Sequence, residues 1–441
     1  MKKLESEFVI STVQIKEIAW KFQRAMELGL SGEQSSLKML RSFLRPPTGE
    51  ETGNYLSLDF GGTNVRAALI ELCGQGQFRQ ISYKADLLLD PVTGYDLGSA
   101  DVAAEELNSF LAGLIDDVLK TLPEGNYGLG YTFSFPCDQV NLQQARLLSW
   151  VKGFQTKGVV DQDIGKLLRN ALNKRNLQDR VTLKAILNDT VATLLSAKYR
   201  DKEVDIGSII GTGHNTCYLE PHEPICSEPM IINVEAGNFN EIALNNYDQL
   251  LDRQSENPGE QCLEKMVSGK YISELFRLIS FDWIEQGLLL KIRDKKFFAE
   301  PYSLRGEDLS ELLADRTVKL SGVAAWLGKY SAGVNSTLES RRNFVKIAAL
   351  VASRSARLVA ATYIGIVLQL DPLVNRKHVI AVDGSLYAKM PGYAAHLNRA
   401  LQEILGSKAE SVTIRASQGG SVVGGAIAAA LALTPNTLSE D

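Results

Sequence analysis

The sequence predicts a mixed α/β protein built as two similar halves, and three observations carry that expectation. The first is a glycine turn between apolar segments, Leu58-Asp59-Phe60-Gly61-Gly62-Thr63-Asn64-Val65-Arg66. The second is a similar stretch about 150 residues later, Ile209-Ile210-Gly211-Thr212-Gly213-His214-Asn215-Thr216-Cys217. The third is the alternation of strand and helix patterns along 441 residues, a length that exceeds one typical core and suggests two domains. Such turns present backbone N–H groups and a hydroxyl with little side chain in the way, which suits a phosphate. Two of them suggest halves that clamp a nucleotide triphosphate, and hence phosphoryl transfer. The plain alternative is a pair of ordinary hairpin turns. No GxxxxGK[ST] segment is present, so a P-loop is excluded.

Along the chain, residues 12–44 read as helical, with Ile15, Ile18, Ala19, Phe22 and Met26 on one face, then Leu37, Leu40 and Phe43. Arg45-Pro46-Pro47-Thr48-Gly49 ends that segment, and strands follow at Tyr55–Asp59 and Val65–Leu72. A helix over 101–120 precedes a strand at Tyr127–Ser134, and a helix near 161–175 precedes one at Val181–Leu187. Asn188-Asp189-Thr190 then caps a helix to about Ala197. The second half repeats the order, with strands at Ile206–Ile210, Thr216–Leu219 and Ile231–Val234 and helices over 260–280 and 342–370. Strands at Val379–Val382 and Val412–Arg415 and a last helix from Ser421 to Leu433 complete it.

Composition narrows the functional classes. Hydrophobic residues at 45% and charged residues at 22% are ordinary for a globular protein. A net charge of -5, with dispersed Lys and Arg, gives no reason to expect nucleic acid. The start, Met1-Lys2-Lys3-Leu4, lacks the apolar run of a secretion signal. Phe344–Leu370 contains Lys346, Arg354 and Arg357, so it reads as a buried helix, and no membrane partner is expected. The five cysteines (Cys73, Cys137, Cys217, Cys226 and Cys262) form no CxxC pair and read as free thiols of a reducing cytoplasm. Four scattered histidines (His214, His222, His378 and His396) argue against a histidine-based metal site.

Candidate chemistry falls at strand ends. Asp59 ends a strand before the first turn, where a carboxylate suits magnesium held through water. Thr63 and Thr212 offer hydroxyls to phosphate oxygens. Asp189 follows a strand and sits at a helix start, which favours negative charge and suits a general base; the plain alternative is a simple N-cap. Ser134, Asn233 and Glu235, with Gln261 and Glu264 on one helical turn, would suit a ligand covered in hydroxyls.

The segments LDFGGTNVR (58–66), LGYTFSFPC (129–137), LLSWVKGF (147–154), LNDTV (187–191), IGTGHNTCYLE (210–220), NPGEQCLEKMVSGKYISEL (257–275) and VDGSLY (382–387) together resemble the hexokinase family. Their order and spacing match from about residue 20 to 435. The resemblance implies the actin-like ATPase (ribonuclease H-like) fold: two α/β domains with mixed sheets and flanking helices, closing over sugar and ATP. The small domain would span 51–187, with the helix at about 421–435 a candidate to join it, and 1–50 with 188–420 would form the large domain.

By the same resemblance, Asp189 takes the proton from the 6-hydroxyl of a hexose, glucose above all, at the entry step of glycolysis. Ser134, Lys152, Asn188, Asn233, Glu235 and Glu264 match sugar-contacting positions, with Gln261 nearby; Lys152 would also offset charge at the transferred group. Gly61, Gly62, Thr63, Asn64 and Arg66 fall in the first phosphate turn, Gly211, Thr212, Gly213 and Asn215 in the second, and Gly384, Ser385 and Ser421 in stretches facing adenosine. The glycine-rich Gln418–Gly425 region opens the last helix, a physical reason for nucleotide contact. ATP and Mg2+ are the implied cofactors, and a monomer or homodimer the expected state.

Three residues depart from the family pattern. Val151 stands where Thr is usual, and Val234 and Ala236 replace Thr and Trp, which bears on the preferred hexose. Residues 290–305 also match poorly, which bears on nucleotide preference. A sugar-binding regulator with the same fold and weak or no catalysis is the reading from another class. Residues 1–54, however, carry no basic cluster or added domain of the sort a transcriptional regulator uses. An actin-like filament protein would not need the sugar-position set.

Overall fold

The computed structural model describes residues 1–90, 92–151, 153–222, 228–290, 295–330, 336–417 and 419–432. Its strands are β1 (Leu40–Arg41), β2 (Thr52–Phe60), β3 (Asn64–Gly74), β4 (Gln77–Leu87), β5 (Tyr127–Phe133), β6 (Cys137–Asn141), β7 (Gln144–Leu147) and β8 (Val181–Leu187). They continue with β9 (Val204–Ile210), β10 (His214–Glu220), β11 (Met230–Asn233), β12 (His378–Asp383) and β13 (Val412–Ala416). One sheet has the order β4-β3-β2-β5-β8 and the other β1-β11-β10-β9-β12-β13. Leaving β1 aside, each sheet places its strands third, second, first, fourth, fifth by order of appearance. In each, the first three are antiparallel and the last two join in parallel. The two halves are therefore one topology used twice, and both glycine turns are tips of first-to-second-strand hairpins.

Each fifth strand feeds a helix that crosses between the sheets: Asp189–Arg200 after β8, and Gly420–Leu431 after β13. Small residues permit the crossing. A Cβ on Gly424 would lie 2.0 Å from the Ala192 carbonyl oxygen, and one on Gly130 1.8 Å from the Gly425 carbonyl oxygen. Val191, Leu194, Val423 and Ile427 build an apolar layer between the sheets with Ala68, Ile70 and Cys217. The outer face of the first sheet packs on the helices Ala104–Leu119 and Ile164–Lys174. The second packs on Thr12–Leu30, Gly269–Glu285 and the long helix Leu338–Leu370. The basic residues of that long helix are accommodated by partners: Arg354 is buried, and its Nη2 lies 2.6 Å from Asp248 Oδ1.

Local differences from the sequence reading have physical causes. The first helix stops at Leu30, not 44; Met39 and Phe43 have φ of 47° and 57°, which no helix accommodates, and Leu40–Arg41 pairs with β11. The three-residue spacing of Leu37, Leu40 and Phe43 imitates a helical face on extended chain. The expected helix over 260–280 is two, Cys262–Val267 and Gly269–Glu285, parted by the extended Ser268 (ψ 156°). Gln261 precedes the first of these in a left-handed conformation (φ 50°), so it does not share a helical turn with Glu264. The edge strand β4 and the β6–β7 hairpin add to the expected set; β4 is mostly exposed and shows no alternating apolar pattern.

Candidate active site

A cleft between the halves gathers most of the expected sugar-side residues. Ser134, Val151, Asn188, Asp189, Asn215, Glu235, Gln261 and Glu264 line it together. Ser134 follows β5 and is positioned by its own N–H on the Phe60 carbonyl (3.1 Å). Asn188 is the N-cap of the next helix, its Oδ1 accepting from Thr190 N at 2.9 Å. Capping thus falls to Asn188, and the Asp189 carboxylate is left to the cleft.

Asn215 is the hub of this side. Its Nδ2 donates to Asn233 Oδ1 (2.8 Å), Glu235 Oε1 (3.3 Å) and Asn188 Oδ1 (3.5 Å), and its Oδ1 accepts from Thr216 N (2.7 Å) and Ala236 N (3.2 Å). Asn215, expected beside the nucleotide, is bonded to Asn188, Asn233 and Glu235, the residues expected on the sugar side. Asn233 sits behind Glu235 and donates to its Oε1 at 2.8 Å. Glu235 and Gln261 both hold left-handed backbones (φ 55° and 50°), strain of the kind that accompanies binding sites. Gln261 Oε1 is held by Asn257 Nδ2 at 2.9 Å. Lys152 and Gln418 lie outside the described residues, as does Cys226.

The two glycine turns open onto the same region. In the first, Gly61 N donates to Asn64 O (3.2 Å) and Thr63 is exposed. In the second, Gly211 N donates to Gly213 O (2.9 Å) and Thr212 is exposed. A Cβ on Gly211 would stand 3.6 Å from Gly384 Cα and 3.7 Å from Ser385 N, so these residues form one surface. Gly384 has φ 118°, and a Cβ there would meet the Ile210 carbonyl oxygen at 2.3 Å, so only glycine fits. Ser421, expected to face adenosine, donates through Oγ to Asp59 Oδ2 at 2.7 Å and ties the last helix to the first turn. Arg66 Nη1 reaches the same oxygen at 2.9 Å.

Burial pushes the Asp59 carboxyl up, hydrogen bonds from Ser421 and Arg66 oppose the rise, and the charge of Asp189 adds to it. Two carboxylates that feel each other in a buried place suit a hard divalent cation. Among the described residues, both side-chain hydrogen bonds to Asp59 fall on Oδ2. No cluster of three or more His, Cys, Asp or Glu is present among the described residues.

Two further residues join the site. Asp383 accepts from Gly384 N through Oδ1 (2.7 Å), and its Oδ2 would stand 3.3 Å from a Cβ on Gly420. It ends a strand before a glycine turn, the signal that singled out Asp59. His214 is buried, with Nδ1 3.0 Å from Ile209 O, and burial lowers its pKa to about 4. Its backbone N–H donates to Glu264 Oε2 (3.1 Å), so the second turn and a sugar-side carboxylate touch directly.

Duplicated sheets, crossing helices and a polar cleft at the hairpin tips define a two-domain actin-like ATPase fold. Comparison with known proteins agrees over nearly the whole chain. Two family models, each described as hexokinase, match residues 1–199 and 205–431. Hexokinase-1 of Spinacia oleracea is 34% identical over 98% of this chain and 90% of its own length. Hexokinase-1 of Saccharomyces cerevisiae is 32% identical over 97% and 91%. A hexokinase from Schistosoma mansoni, solved in complex with glucose, superimposes with a TM-score of 0.86 at 30% identity and 97% coverage of both chains. The chain belongs to the hexokinase family. Its activity is the ATP-dependent phosphorylation of a hexose.

Proposed function

We propose that the hexose is glucose, that its 6-hydroxyl is the acceptor, and that Asp189 is the general base. The observation that carries this reading is the position of Asp189. It opens a helix on the cleft, next to the Asn188, Asn215, Asn233 and Glu235 network. Ser134, Asn188, Glu235, Gln261 and Glu264 line the cleft and hold the sugar's other hydroxyls, with Asn233 fixing Glu235 from behind, so that the reacting hydroxyl meets the Asp189 carboxylate. Lys152 offsets charge near the transferred group. The triphosphate lies across the turns 61–64 and 211–213, with Gly384 and Ser385 toward the nucleoside and Ser421 beside the first turn. Asp59 would hold Mg2+, which when bound would supply charge neutralisation at the transferred phosphoryl group.

Two domains, 51–187 with the helix at about 421–435 a candidate to join it, and 1–50 with 188–420, close over the sugar and exclude water that would otherwise accept the phosphoryl group. Glucose as the substrate is supported by the likeness to the Schistosoma mansoni enzyme solved with it. A cytoplasmic site and a place at the entry to glycolysis accord with four free cysteines and with no membrane-length apolar helix among the described residues. A coupled assay for ADP release with glucose, fructose, mannose and N-acetylglucosamine tests the assignment. Glucose is expected to give the highest kcat/KM. A clear preference for another sugar overturns it. Heat stabilisation by a sugar with no turnover on any of them would favour a binding regulator.

A further inference from the structure

The helix that opens with Asp189 closes over a second cleft, at the starts of β9 and β12 and away from their ends at Ile209 and Asp383. Lys198 lies nine residues along this helix, about 14 Å from Asp189 along its axis. Lys198, Lys202, Arg376 and Lys377 line the cleft, and its lining carboxylates are Glu203 and Asp205. Asp205 is buried and already committed. Its Oδ2 lies 2.7 Å from His378 Nδ1 and 3.2 Å from Arg376 Nη1, and its Oδ1 accepts from Val379 N at 3.3 Å.

Lys198 is half-buried and is held in place by carbonyls, with Nζ 2.9 Å from Lys202 O and 2.8 Å from Val204 O. An ammonium has three donors, so one remains for a ligand. Burial lowers the Lys198 pKa, against the charges of Asp205 and Asp201, and Arg376 adds to the lowering. Lys377 is exposed and pairs with no carboxylate among the described residues. Lys202 Nζ also stands 4.0 Å from Glu50 Oε1, so the four cations face three carboxylates and keep a surplus of one positive charge in a concave site, where charges act more strongly than on open surface.

We propose that this cleft binds a small phosphate dianion, either inorganic phosphate or a phosphate monoester, through Lys198, Lys202, Arg376 and Lys377. A phosphoryl group carries close to two negative charges at neutral pH and offers three acceptor oxygens, which suits a net positive lining with convergent donors. Arg376 Nη1 on Asp205 fixes that guanidinium, leaving its other N–H groups to the ligand. The site is separate from the glycine turns, at the opposite end of the strands, and does not depend on the catalytic assignment.

Calorimetric titration of the full chain with inorganic phosphate, at low and at physiological salt, tests the proposal. The Lys202→Ala/Lys377→Ala double variant provides the comparison. Both residues are exposed, and turnover at saturating substrates should stay within about twofold of wild type. Phosphate affinity should fall by about tenfold or more in the variant and weaken with salt in wild type. Equal affinity in the two folded proteins would locate phosphate at the glycine turns and overturn the proposal, as would no binding to wild type at tens of millimolar. A hexose 6-phosphate titrated in parallel separates the two ligands. Tighter binding that the double variant loses identifies a monoester, and binding no tighter than phosphate identifies inorganic phosphate.

Discussion

The two glycine hairpins occupy equivalent places in a duplicated scaffold, yet their surroundings differ in charge. Two residues before the first glycine stands Asp59, buried and held by Arg66 and Ser421; at the matching place in the second hairpin stands the apolar Ile209. The second strand opens with Asn64 in the first hairpin and with the buried His214 in the other. The crossing helices diverge in the same way. One begins Asn188-Asp189 and delivers a carboxylate; the other begins Gly420-Ser421 and leaves room for an anion. Duplication supplies two glycine turns, and divergence of a few residues gives each turn a different set of charged neighbours.

Breaking the asymmetry at its strongest point should have the largest effect. Asp189→Asn keeps the shape of the helix start and removes the proton acceptor. Its kcat should fall by about 10²–10⁴-fold, while equilibrium sugar binding stays close to wild type. Near-normal turnover in a coupled assay would remove Asp189 from the role of base.

His214 offers the next largest effect, on stability. Its folded pKa of about 4 lies below the ordinary 6.5, because burial favours the neutral ring. The unfolded chain therefore takes up the proton first as pH falls. The stability from this residue is complete above about pH 6.5 and is lost progressively toward pH 4, roughly 3 kcal/mol in all. Urea midpoints between pH 4 and 7 should slope less steeply in His214→Gln than in wild type; parallel slopes would mean the ring does not titrate in this way.

The seam that both halves share is tested by Gly424→Ala. The added Cβ would lie 2.0 Å from a carbonyl oxygen of the other helix, so the helices must separate. A loss of about 1–3 kcal/mol is expected, read as a lower denaturation midpoint, and an unchanged midpoint would show a looser crossing.

The smallest effect concerns the cleft wall. Val151 lines the cleft, and Val151→Thr would restore a hydroxyl. If that hydroxyl reaches the sugar, KM for glucose should drop by about fivefold, the worth of one net hydrogen bond near 1 kcal/mol. An unchanged or higher KM would make the position one of packing only.

Much of the site was legible because its signals are local. Asp59, the Gly61–Thr63 turn and the Gly211–Gly213 turn follow directly from strand-end and turn chemistry. The partners of those residues were not legible. Ser421 and Asp59 are 362 residues apart and meet only because the last helix crosses β2 and β5. Asn215 follows the second turn, and alternation along β10 aims its amide at Asn233 and Glu235. Gln261 looked helical from its neighbours, but its backbone is left-handed. The strand β4 carries almost no burial pattern, because one edge is open and its faces are largely exposed.

The sequence by itself determined the mixed α/β class, the pairing of two glycine turns, the aspartate at a helix start and the family to which the chain belongs. The first three rest on short-range rules, turn geometry, periodicity and capping; the family rests on the resemblance of seven segments in order along the chain. Tertiary structure decided which groups share the cleft, that Asn188 caps the helix and leaves the Asp189 carboxylate to the cleft, and that Asp59 is paired with Arg66 and Ser421. Those outcomes depend on contacts between residues hundreds of positions apart. Only the packing of the two crossing helices between the sheets brings them together.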